Sequence, residues 1–111
     1  MSLNTRCLAA QVVDSVVCSG VSLTRALDQS IPADMSTENR SFVKALSFGT
    51  LRYYYQLEFF LAQLLSKPLR NKEHFIKMLA LVGLYQLAHM RVAPHAAVSA
   101  TVQAVNRKSW A

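Results

Sequence analysis

Eight basic side chains carry most of the chemistry that this sequence offers: Arg6, Arg52, Lys67, Arg70, Lys72, Arg91, Arg107 and Lys108. A guanidinium or ammonium group that neutralises a phosphate releases condensed counterions, so clustered Lys and Arg point to a polyanionic partner. Their placement is uneven. Residues 1–39 hold two basic and four acidic residues, a net −2, whereas residues 40–111 hold ten basic and two acidic, a net +8. Lys67, Arg70 and Lys72 gather at one expected helix junction. Arg91 sits at the next, beside Pro94, where the free N–H groups of a helix start can also receive a phosphate. For each of these residues taken singly, solvated surface charge remains the alternative.

The run Tyr53-Tyr54-Tyr55 follows Arg52 directly. Successive helical residues turn by about 100°, so three adjacent rings cannot all face a core. At least one must reach the surface, where a base of single-stranded RNA could stack on it or on the neighbouring guanidinium. The other reading is that the rings span core and solvent with wet hydroxyls.

Other chemistry is argued against. Gly20, Gly49 and Gly83 are too far apart for a phosphate-cradling loop or a dinucleotide-type loop. His74, His89 and His95 lack metal-ligand spacing. Cys7 and Cys18 have no base adjacent in sequence, and on one helix they lie roughly 16 Å apart, beyond the reach of a disulfide. The expectation is no catalytic constellation, no metal and no cofactor within this chain. Free thiols suit a reducing cytoplasm. The N-terminus lacks the charged and apolar regions of a signal peptide.

The elements that must position these residues are helices. A hydrophobic share of 52% with 16% charged residues argues for a packed core over disorder, and 111 residues suit one domain. Three Gly and three Pro are too few for a turn-rich β architecture. A first helix is expected from about Arg6 to Ser19, with Thr5 as N-cap, Gly20 as stop and a core stripe of Ala9, Val12, Val13, Val16 and Val17. Ser22 caps a second helix to about Gln29, and Ser36 caps a third. That third helix runs to about Leu65 along a seam of Val43, Leu46, Thr50, Tyr53, Leu57, Phe60 and Leu64, widened by Phe42, Leu61 and Leu65. A kink or close helix contact is expected at Gly49.

A fourth helix, from about Glu73 to His89, contains the uncharged stretch from Met78 to Met90. Being apolar nearly all round, it should lie at the centre of the bundle, and it is too short to span a membrane. Pro94 opens a fifth helix that buries Ala97, Val98, Val102 and Val105.

Several segments, in order, resemble one family. They are Arg6 through Val13 with Ala9-Ala10, Phe48-Gly49-Thr50-Leu51-Arg52, Lys67-Pro68-Leu69 and Gly83-Leu84-Tyr85-Gln86-Leu87. Pro94-His95-Ala96-Ala97-Val98 and Thr101-Val102 complete the set. The ordered set is similar to the NusB-like helical domain, in the version found at the N-terminus of the ribosomal RNA small subunit methyltransferase B family. The resemblance implies an all-α bundle of about five helices over residues 1–111. It implies a module that binds ribosomal RNA for an attached catalytic domain, which uses S-adenosylmethionine to methylate cytosine at ring carbon 5 in 16S rRNA.

That family's catalytic cysteines and cofactor motifs match no position in this sequence. The antitermination branch of the family has an arginine-rich first helix, where this chain offers only Arg6, so antitermination is the lesser expectation. A structural domain without RNA contact is the third. The family pattern continues into a further helix, whereas this chain stops at Ser109-Trp110-Ala111. An open groove there would favour a homo-oligomer.

Overall fold

A computed structural model describes residues 4–65, 67, 69, 70 and 73–90. The described residues form five helices: α1 (Thr5–Ser19), α2 (Leu23–Ser30), α3 (Thr37–Arg52), α4 (Tyr54–Leu64) and α5 (His74–His89). The all-α expectation holds. The expected helix beginning at Pro94, and the groove beside it, lie outside the described residues. No helix among those described is long and apolar enough to cross a membrane.

Local signals set most of the boundaries. Ser22 Oγ accepts from the Arg25 N–H at 3.2 Å and Ser36 Oγ from the Asn39 N–H at 3.1 Å, satisfying donors at the starts of α2 and α3. Gly20 ends α1 with φ +69°, the left-handed conformation that glycine enters without a Cβ penalty. The cap of α1 differs by one residue from expectation. Asn4 holds it, with Oδ1 accepting from the N–H groups of Arg6 at 2.9 Å and Cys7 at 3.1 Å, so Thr5 becomes the first helical residue.

The single long third helix is corrected to two. The break falls at Tyr53, where φ −105° and ψ 21° leave helical geometry, and not at Gly49. The consequence is a change of buried face. Val43, Leu46 and Thr50 are fully buried on α3, as the seam predicts. Beyond the break Leu57 and Leu61 carry the core, while Phe60 and Leu64 turn outward at 41% and 70% exposure. In α1 the stripe likewise stops early, for Ala9, Val12 and Val13 are buried and Val17 is exposed.

Helix α5 is the packing axis. It lies against α1, α3 and α4, and Met78, Leu79, Leu81 and Val82 join Ala9, Ala10, Val13, Leu46, Leu57 and Leu61 in the main core. Its position follows from its composition, since a helix without a polar face must be covered on most sides. A smaller core of Leu8, Ile31 and Val43 fastens α2 and its following loop. Arg40 braces that loop by donating from Nη2 to the Pro32, Ala33 and Met35 carbonyls at 3.2, 3.0 and 3.4 Å.

Candidate nucleic-acid interface

Arg6 projects from the first turn of α1 toward α5, not toward solvent. Its guanidinium lies 5.0 Å from the centre of the Phe42 ring and meets Gln86, which is fully buried. With the Gln86 carbonyl oxygen turned toward the arginine, as amide hydrogen bonding requires, it accepts from Nη2 at 3.0 Å and Nε at 3.3 Å. Burial lowers the guanidinium pKa from its ordinary value, but an arginine keeps its charge at neutral pH. Arg6 therefore holds α1 to α5, its guanidinium engaged by Gln86 and Phe42.

Arg52 is exposed at the end of α3. Its guanidinium carbon lies 5.6 Å from the Tyr53 ring centre, and Tyr53 in turn stacks on His89 at 3.9 Å with planes 10° apart. Tyr85 continues the pile, 5.5 Å from His89. The His89 ring nitrogen also hydrogen-bonds Gln56 Oε1 at 3.0 Å. Of the three consecutive tyrosines, Tyr53 and Tyr54 are half-buried, and Tyr55 stands 83% exposed. Tyr53 spends a ring face on the protein's own histidine. Tyr55 is the ring that could stack on a base.

Lys67 and Arg70 are both exposed in the connection between α4 and α5. Arg70 faces the Glu73 carboxylate at 3.4 Å, a solvent-exposed pair that contributes little and can open toward a stronger anion. The eleven residues of α4 separate this junction from Arg52 by roughly 16 Å of helix. Lys67 and Arg70 thus share one end of α4, and Arg52 occupies the other. Lys72, Arg91, Arg107 and Lys108 lie outside the described residues.

Two features escaped sequence reasoning. Lys77 donates to Glu58 Oε2 at 2.7 Å and so ties α5 to α4. The hydrogen bond to Glu58 raises the Lys77 pKa, partly offset by burial. Between these helices Tyr55, Phe59, Leu61, Leu65, Glu58 and Lys77 border a groove of ≈ 620 Å³. The second feature is a meeting of Asp14, Cys18 and His74 across the α1–α5 contact. Here His74, distant in sequence, stands 2.7 Å from the Cys18 sulfur.

Comparison with known proteins agrees with this fold. Ribosomal RNA small subunit methyltransferase B of Pectobacterium atrosepticum is 42% identical over 102 residues, which is 92% of this chain and 24% of that relative. The protein of the same name from Cronobacter sakazakii is 40% identical over 102 residues, again 92% of this chain and 24% of the relative. That of Klebsiella pneumoniae is 37% identical over 102 residues, 92% and 23% respectively. The matched part is the N-terminal portion of those relatives. The NusB family itself matches residues 3–110, nearly end to end, and the chain belongs to the NusB family.

Proposed function

We propose that this chain is the RNA-binding helical module of a 16S rRNA (cytosine-5-)-methyltransferase, acting in the cytoplasm to place rRNA for an attached catalytic domain. The match to the N-terminal portion of relatives named ribosomal RNA small subunit methyltransferase B carries the reading. The net +8 of residues 40–111, with Arg52, Lys67 and Arg70 exposed around α4, supports it physically. Flexible cations at two ends of a short helix suit an extended, single-stranded backbone better than one compact anion.

In this proposal S-adenosylmethionine binds elsewhere in a longer protein. Among the described residues there is no strand and no glycine-rich turn opening a helix, so they do not fit that cofactor. No chemical step is assigned to them.

Titration of the chain with a single-stranded 16S rRNA fragment at two salt concentrations tests the reading. Binding should weaken as salt rises, and the combined change Lys67→Ala, Arg70→Ala and Lys72→Ala should weaken it across RNA sequences. Unchanged affinity in that variant would place the contact elsewhere.

One observation favours a second reading, a domain that packs against its catalytic partner without touching RNA. Tyr55, Phe59 and Leu64 expose 83%, 61% and 70% of their surface along α4, an apolar face next to the basic junction. Complete absence of RNA binding would favour it. The burial of Arg6 counts against the antitermination reading, because the one arginine on the first helix is committed to Gln86.

A further inference from the structure

Asp14 and Cys18 stand one turn apart on the same face of α1, and His74 opens α5 where the two helices pack. Asp14 Oδ1, Cys18 Sγ and His74 Nε2 lie within 4.8 Å of one another. The imidazole nitrogen is the hub, 2.7 Å from the sulfur and 2.6 Å from the carboxylate oxygen. One ring nitrogen carries either a proton or a lone pair. With the proton, it can donate well to only one of two acceptors. With the lone pair, it faces a carboxylate oxygen across a repulsive gap.

The carboxylate side of this hub is not settled by hydrogen bonding. Asp14 Oδ1 is shielded from solvent and has no hydrogen bond of acceptable geometry, although Nε2 is close enough for a charge contact. Burial, then the Asp14 carboxylate, raises the Cys18 thiol above its ordinary pKa, while Lys77 acts weakly in the opposite direction. Lys77 is held by Glu58 at 2.7 Å.

We propose that Asp14, Cys18 and His74 form a three-ligand site for a divalent metal ion of the zinc type, joining α1 to α5. One thiolate, one imidazole and one carboxylate suit Zn²⁺ and its cobalt surrogate, whereas Mg²⁺ and Ca²⁺ favour oxygen alone. Zinc at about 2.0–2.3 Å from each donor requires donors roughly 3.3–3.6 Å apart in tetrahedral geometry. The imidazole must therefore retreat by about 1 Å, and side chains of His74 and Asp14 that are 35% and 38% exposed leave room for it. The solvent-facing side takes a water as fourth ligand. On binding, the Cys18 S–H bond breaks, its proton passes to buffer and the sulfur lone pair forms the bond to the metal.

This inference stands independently of RNA binding. Its test is anaerobic titration of the reduced chain with Co²⁺, followed by Zn²⁺. One equivalent of Co²⁺ should produce a thiolate-to-cobalt charge-transfer band in the near ultraviolet, and Zn²⁺ should abolish it. Cys18→Ser, a one-atom change at an exposed site, should remove the band while far-ultraviolet circular dichroism stays helical. His74→Gln and Asp14→Asn should each weaken binding by more than the about tenfold typical of losing an outer-shell partner. Cys7→Ser should keep the band. Absence of the band in the unaltered chain, its survival in Cys18→Ser, or affinity unmoved by His74→Gln would each overturn the site.

Discussion

A methyl group added at Gly49 would occupy the space of the Tyr85 ring, so glycine there lets α3 and α5 approach. Tyr85 cannot swing away freely, because it stacks with His89 and Tyr53. Gly49→Ala should therefore destabilise the fold by about 1–3 kcal/mol, read by chemical denaturation. Tyr85→Leu in the same background should recover part of that loss. Arg6→Ala makes the opposite demonstration: it leaves the buried Gln86 amide without its donors, costing about 1–3 kcal/mol, with no change in the salt slope of RNA binding. At this scale the sequence was half legible. The spacing of Gly49 within a helix already suggests a close contact, but Tyr85 lies 36 positions away and only folding selects it. The same distance effect hides His74 from Cys18, since ligand spacing in sequence can reveal neighbours only along one element.

The elements themselves were more legible than their phases. Ser22 and Ser36 mark the starts of α2 and α3 and Gly20 the end of α1, because each is a residue type that physically starts or ends a helix. The break at Tyr53 has no such mark: no Gly or Pro occupies it, and the heptad seam reads through it without interruption. Its effect, outward Phe60 and Leu64, emerges only from packing. Across the resulting pair α4 and α5, Glu58 and Lys77 give an alkaline signature. The Lys77 pKa is raised in the fold, so its stabilising share is complete below the ordinary lysine value of about 10.4 and disappears as pH rises through the folded value. Tyr54, whose pKa is raised mainly by burial, contributes in the same direction. Stability should fall above about pH 10, and Glu58→Gln should make that fall shallower, because Glu58 raises the pKa of both Lys77 and Tyr54. Denaturation midpoints measured across the alkaline range check this.

For the whole molecule, the bundle around α5 and the charge asymmetry could both be read from residue types, since composition reports burial and net field directly. Which cations remain available could not. Arg6 and Lys77 are spent on internal contacts, while Arg52 and the Lys67–Arg70 junction stay exposed at opposite ends of α4. In the proposed function these exposed groups meet an RNA backbone. The most direct measurement of that contact is the slope of log affinity against log salt for a single-stranded 16S rRNA fragment. Three phosphate contacts predict a slope of roughly −2, a loss of about sixteenfold when salt rises fourfold, and a shallower slope when Arg52, Lys67 and Arg70 are replaced by alanine. Binding that is absent, or a slope near zero, would rule out that contact.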